Sequence, residues 1–200
     1  MDRKVRGMTI VELVVVMVIV SILASGAIYW LVVQINRERL RAGTNQLMAD
    51  INDVKLKSIS SGAIWGIRVC SGSPTYKVFI DHDGNCRDVN TTCSPDTTKR
   101  CLNNPLATCS SDANCINNTG PCVVMERSIA LPNGVVPQNN FYAVFDRRGY
   151  ALDYSCGLGH GNITLRGQLL NFSNLYDYRY ICVSRFGRVK SDDSPCNPEE

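Results

Sequence analysis

The feature that most constrains this chain is an apolar run that comes early and carries a single charge. From Met8 to Val33, 26 residues pass with Glu12 as their one charged side chain. About 20 apolar residues in helical form span the hydrocarbon core of a bilayer, so the run is long enough to cross one. A carboxylate at that depth costs roughly 2.5–3.5 kcal/mol even on a lenient scale, and Glu12 therefore calls for a counter-charge. The preceding segment, Met1 to Gly7, is short and basic, with Arg3, Lys4 and Arg6. A cut after Gly7 would leave a new α-amino group on Met8, one helical turn from Glu12 and cationic at neutral pH with a pKa of about 8. Within one chain the two are poorly placed to meet. Between copies offset along the helix axis, the amine of one reaches the carboxylate of the next inside an apolar bundle.

At these residues the sequence resembles the type IV pilin superfamily: a basic leader ending in Gly7, a hydrophobic residue after the cut, and Glu12 at the fifth mature position. The resemblance implies cleavage between Gly7 and Met8 by prepilin peptidase, methylation of the Met8 amine, and a role for Glu12 in filament assembly. Met8 stands where the family usually has Phe. A secretory signal would instead be cut beyond the run, near Ala24-Ser25-Gly26-Ala27, and a plain anchor has no need of an acid. Neither accounts for a glutamate five residues past a glycine.

The three basic residues of the leader place it in the cytoplasm, with the remainder across the membrane. The net charge of +3 falls to +1 without the leader, so no overall field recruits nucleic acid. Ten cysteines, none before Cys70, fit the disulfides of an oxidising compartment. The expected organisation is a leader over 1–7, a transmembrane and assembly helix over 8–33, its periplasmic continuation over 34–62, and a β-rich head over 63–200.

Helical spacing of Ile35, Leu40, Leu47, Ile51, Val54, Leu56 and Ile59 extends the helix to about Ser60, roughly 75 Å in all. Gly26 and Gly43 are candidate bends, and Ser60-Ser61-Gly62 is the stop. Arg37, Arg39 and Arg41 read as a solvated collar beside the lipid. Beyond Ala63, strands are expected at Ile64–Cys70, Thr75–Ile80, Val123–Ala130, Phe141–Phe145, Asn162–Arg166 and Tyr178–Ser184, with turns between them. No useful helix separates these strands, which favours antiparallel pairing. The fold class is α+β, a long N-terminal helix packed on an antiparallel sheet or sandwich head.

Five stretches, Val78-Phe79-Ile80-Asp81, Leu131-Pro132-Asn133-Gly134-Val135, Val144 to Gly149, Gly161 to Leu165 and Ile181 to Val189, look in order like landmarks of the GspH/FimT family. That family comprises minor pilins of type IV pili and minor pseudopilins of type II secretion. The resemblance implies a helix against a β-sandwich-like head. Its partners would be other pilin-like subunits, prepilin peptidase, an inner-membrane assembly platform and the lipid bilayer. The implied location is the inner membrane with the head in the periplasm, then a filament.

The departure is an insertion, residues 85–122, holding Cys86, Cys93, Cys101, Cys109, Cys115 and Cys122 among polar residues. Such a stretch cannot bury a core and must be cross-linked. Gaps of six, seven, seven, five and six residues lack the paired short spacing of zinc ligands. Fifteen connectivities remain open for these six, and the segment reads as a stapled surface excursion. Outside it, Cys182 with Cys196 would close the C-terminal tail, and Cys70 with Cys156 would tie two parts of the head.

Other motifs point away from chemistry. Asp81-His82-Asp83-Gly84-Asn85-Cys86-Arg87-Asp88 is rich in oxygens but has the wrong glycine position and no terminal Glu for a calcium loop. Gly157-Leu158-Gly159-His160-Gly161 lacks the Lys-Ser/Thr of a phosphate loop. Two histidines, His82 and His160, and carboxylates in polar tails (Asp192, Asp193, Glu199, Glu200) give no catalytic set, so no enzyme, cofactor or metal is expected. Arg185, Gly187, Arg188 and Lys190 resemble the Gly-Arg-x-Arg element that binds DNA in some FimT-like pilins, with Lys190 in place of the last arginine and acids close behind. The sequence thus reads as a minor pilin or pseudopilin, with a major filament subunit, a type II pseudopilin and a DNA-uptake pilin as alternatives.

Overall fold

The structure is a computed structural model describing residues 9–81, 84–87, 93, 99–101, 104–115, 122–124, 126–168 and 176–196. Its first element is one unbroken helix, α1 (Ile10–Ser61), of 52 residues and about 78 Å. Thr9 caps it by accepting the Glu12 N–H on its hydroxyl, and Gly62 ends it in the left-handed region at φ 68°. No break occurs at either Gly26 or Gly43. At Gly43 an added Cβ would lie 3.2 Å from the Pro132 ring, so this glycine serves close packing.

The helix has two halves. Side chains from Ile10 to Leu31 are exposed, whereas Leu40, Gly43, Thr44, Leu47, Ile51, Val54 and Ser58 form a buried stripe at three- and four-residue steps. Ile35, Leu56 and Ile59, expected in that stripe, are 43, 62 and 45% exposed because they lie off this face. The small polar members of the stripe are satisfied: Thr44 donates to the Leu40 carbonyl at 2.8 Å, and the Ser58 hydroxyl accepts from the Trp65 N–H at 2.9 Å.

The head begins with β1 (Ile64–Val69) and β2 (Thr75–Asp81), then β3 (Lys99–Cys101), β4 (Asn104–Thr108), β5 (Cys122–Val124) and β6 (Glu126–Ala130). It continues with β7 (Val135–Pro137), β8 (Phe141–Phe145), β9 (Ala151–Leu152), β10 (Gly161–Gln168), β11 (Tyr176–Val183) and β12 (Val189–Asp192). Among the described residues they form three antiparallel sheets, in the orders β6-β2-β1-β8-β9, β12-β11-β10-β7 and β4-β3-β5. The fold is therefore α+β, a long apolar helix packed on antiparallel sheets and cross-linked by disulfides. The run expected as one strand from Val123 to Ala130 is two, β5 and β6, in different sheets. The insertion carries a small sheet, β4-β3-β5, that ends just past it at Val124.

The first two sheets and the helix enclose one core. Ile67, Val69, Tyr76, Val78, Phe141, Ala143 and Phe145 of the five-stranded sheet meet Ile163, Leu165, Ile181 and Val183 of the four-stranded sheet, with Leu40, Leu47, Ile51 and Val54 from α1. Alternation along a strand sends every second residue to the opposite face. That outer face of the five-stranded sheet is buried too. Cross-strand rows place Arg68 beside Lys77 and Tyr142, and Gly66 beside Phe79 and Val144. The Phe79 ring lies across Gly66, where a Cβ would stand 2.2 Å from it. Phe79, Val144 and Cys86 form a second, smaller core with Ile64, Tyr142 and Leu152 around it.

Candidate functional site

At the N-terminal end, the elements are those of a helix start placed in an apolar segment. Thr9 and Glu12 stand in the Thr-x-x-Glu spacing of a capped helix, a signal the sequence reading passed over. Glu12 is exposed, and its carboxylate meets no cation among the described residues of its own chain. The helix N-terminus favours an acid there by a fraction of a kcal/mol, which offsets little of its cost in lipid. Gly7 and Met8, the expected processing residues, lie outside the described residues, as does the rest of the leader. Within α1 is a segment long and apolar enough to cross a membrane, with mean hydropathy 2.6 and none of it buried.

The arginine collar is less free than expected. Arg37 faces Asp177 of β11 at 3.7 Å, Arg41 pairs with Glu38 at 2.6 Å, and Arg39 donates to Asn36 at 3.3 Å. The first of these joins the helix to the head just beyond the apolar half.

All ten cysteines are joined. The pairs are Cys70–Cys93, Cys86–Cys156, Cys101–Cys115, Cys109–Cys122 and Cys182–Cys196, with Cα separations of 6.0, 5.3, 5.5, 5.9 and 5.7 Å. Cys182 and Cys196 thus close the tail onto β11. Cys70 and Cys156 are not partners, which corrects the expected pairing. The turn after β2 delivers Cys86 over the outer face of the sheet to where the loop after β9 brings Cys156, while Cys70, just past β1, takes Cys93. Two of the six insertion cysteines therefore bind the insertion to the head. Through Cys86 the insertion contributes to the second core, and at Cys86 and Cys93 it is tied to the head.

The Asp81 loop has a structural task. Its two carboxylate oxygens accept the Gly84 and Cys86 N–H groups at 3.1 and 2.8 Å, which shapes the turn carrying Cys86. His82, Asp83 and Asp88 lie outside the described residues. The sulfurs of Cys101, Cys109 and Cys115 come within 4.8 Å of one another, but each is committed to a disulfide and offers no thiolate.

Against this geometry, residues 2–28 match the family described as the Prokaryotic N-terminal methylation motif. Over these residues the N-terminus carries a prepilin-like methylation motif. That motif supports a pilin-type precursor, membrane-anchored by its apolar helix, cut by prepilin peptidase and assembled with other pilins. No curated protein and no solved structure gives a significant match.

The basic residues Arg185 and Arg188 lie on the turn between β11 and β12, beside the last turns of α1. Lys55 donates to the Gly187 carbonyl at 2.9 Å. Gly187, at φ 67°, leaves no room for a side chain: a Cβ would fall 2.1 Å from the Gly149 carbonyl oxygen. The glycine of the Gly-Arg element is thus explained by packing. Arg148 lies over Tyr150, and Phe186 stands 69% exposed between the two arginines. Lys190 is on β12, opposite Cys182, set off from that cluster. Asp192 accepts from the Ser194 N–H and hydroxyl, which hold its carboxyl below the usual range, and Asp193 pairs with Arg179. Glu199 and Glu200 lie outside the described residues.

Proposed function

We propose that this chain is a non-enzymatic minor pilin or pseudopilin of the GspH/FimT kind, inserted in the inner membrane with its head in the periplasm and drawn into a filament by its helix. The observation that carries the reading is Glu12, an acid in an exposed apolar helix, one turn from the cleavage position and without a cation among its own chain's described residues. The Met8 amine of a neighbouring subunit is the charge that fits. Intact-mass analysis of protein purified from its native membrane will show loss of residues 1–7. Glu12→Ala will lower incorporation into sheared filaments at least about tenfold, because a half-made buried charge pair costs more than 1.4 kcal/mol. Retention of residues 1–7, or normal assembly of the variant, overturns the reading. A minor subunit is a trace component of those filaments, whereas dominance there makes it the major one.

A second reading, polyanion binding, is supported by Phe186 exposed between Arg185 and Arg188, since basic groups interleaved with aromatic rings suit single-stranded nucleic acid. Full-length protein in nanodiscs will then retain single-stranded DNA at low salt, with a log–log salt slope of roughly −0.7 per phosphate neutralised. Arg185→Ala/Arg188→Ala will flatten that slope. No retention at low salt ends this reading and leaves the first untouched.

A further inference from the structure

The insertion gathers four cysteines at one point. The sulfurs of Cys101, Cys109 and Cys115 lie within 4.8 Å of one another, and Cys122 is bonded to Cys109 and stands opposite Cys101 in the ladder between β3 and β5. Joined in disulfides, these sulfurs carry no charge. Before oxidation the same four are thiols, and their spacing then has a chemical use.

Main-chain bonds that need no disulfide set that spacing. Strand pairing holds Cys101 beside Cys122. The Cys109 N–H donates to the Lys99 carbonyl at 3.0 Å, which brings Cys109 to the start of β3. Asp112 takes the Cys122 N–H on its carboxylate at 2.8 Å and the Cys115 N–H on its carbonyl at 3.0 Å. Asn114 closes the same loop, its side-chain oxygen accepting the Ser110 and Ser111 N–H groups at 3.2 and 3.1 Å. Cys101 and Cys115 are buried and Cys109 and Cys122 half-buried, so the group is open from one side.

We infer that the thiol form of the insertion binds one zinc ion through Cys101, Cys109, Cys115 and Cys122. Thiolate sulfur is a soft donor, and a filled d shell accepts four of them in a tetrahedron without electronic cost. Zinc–sulfur bonds of about 2.3 Å place tetrahedral sulfurs about 3.8 Å apart. Once Cys101 and Cys115 are unbonded their sulfurs part to that spacing, and Cys109 approaches each of them by no more than about 1 Å. The short Cys-x-x-Cys spacing that the sequence lacks is replaced by a strand pairing and a hydrogen-bonded loop. Zinc enters as the four thiols release their protons, and no electron moves. The loaded site has two net negative charges, and Lys99 and Arg100 precede Cys101 on β3. Two equivalents of a disulfide donor, each taking up two electrons and two protons to become a dithiol, convert the ligands into the two disulfides and free the metal. The inference goes beyond the filament reading and does not depend on it, because it concerns the insertion of a single chain.

Full-length protein in nanodiscs, reduced with a phosphine under argon and then freed of it, tests this with zinc sulfate as the probe. Elemental analysis will find one zinc per chain, and the unreduced protein will retain none. With zinc present, Cys101, Cys109, Cys115 and Cys122 will be alkylated at least about tenfold more slowly, mapped by mass spectrometry, while the other six cysteines react as before. Cobalt(II) in place of zinc will give the intense visible bands of tetrahedral sulfur coordination. Losing a ligand outright costs more than losing a group that orients one, so Cys101→Ser will weaken zinc binding by more than about 100-fold. Cys182→Ser/Cys196→Ser will leave it unchanged. The inference is overturned if the reduced chain retains no zinc, if protection is spread over all ten cysteines or falls on others, or if Cys101→Ser binds as the parent does.

Discussion

The inner and outer faces of the five-stranded sheet are both buried, yet they are buried by different means. On the inner face, Ile67, Val78, Ala143 and Phe145 meet a helix and a second sheet, and apolar contact alone closes the layer. On the outer face, Arg68, Lys77, Asp81 and Glu126 are 8% exposed or less, beside Phe79 and Val144. Lys77 reaches Glu126 at 3.3 Å with its side chain fully enclosed. Among the described residues, Cys86 and Tyr154 lie over this face, the first held by its disulfide and the second stacked on Tyr142. The apolar face is closed by packing, whereas the charged one matches Lys77 with Glu126 and is tied at Cys86 by a disulfide.

The comparison breaks first at the ion pair. Lys77→Met removes the cation that reaches enclosed Glu126 and should cost about 3–5 kcal/mol. Lys77→Met/Glu126→Leu should recover most of that, measured by denaturant unfolding of the full chain in nanodiscs. If the single variant is as stable as the parent, the outer face is wetter than its burial indicates and the contrast fails.

The tethers come next. Cys86–Cys156 spans 70 residues and Cys182–Cys196 spans 14, so chain entropy assigns them about 4 and 3 kcal/mol. Replacing each pair by serines separates the two faces in a second way. Loss of the first pair should expose the outer-face amides to hydrogen exchange while those of β10 and β11 stay protected. Loss of the second should loosen only β12 and the tail.

Much of the inner architecture was legible in the sequence, because it rests on period. Leu40, Leu47, Ile51 and Val54 repeat at helical steps, and the apolar alternation of β8 and β10 names one face. The outer face was not legible. Lys77 and Arg68 alternate with apolar neighbours as solvent-facing residues do, and nothing local says that residues 84–87 and Tyr154 will fold over them. The Cys70 and Cys156 partners were missed for the same reason, since pairing follows the tertiary path of the cover and not spacing along the chain. At the candidate assembly site, Glu12 was legible from cost alone, one charge in an apolar run.

The smallest effect lies where the inner face admits a polar group. Tyr76 is enclosed, donates its hydroxyl to Asp50 of α1 and accepts from Gln46 at 3.3 Å. Burial first, and then the hydrogen bond to Asp50, push its phenol well above the usual tyrosine range. The folded state therefore holds this proton more tightly than the unfolded chain does. Its contribution is fully present below pH about 10, where the unfolded phenol is neutral, and is lost as pH rises from there toward the folded value. The loss amounts to about 1.4 kcal/mol per pH unit in that window. Lysines and other tyrosines titrate in the same range, so the informative quantity is the difference between the parent and Tyr76→Phe. At pH 8 the phenylalanine variant should be less stable by about 1–2 kcal/mol, the cost of an unmade bond to a charged acceptor. Between pH 10 and 11.5 the two unfolding curves should converge, since only the parent has a Tyr76 proton to lose. Curves that stay parallel through that window would mean that the phenol reaches water, and that the inner face is no drier than the outer one.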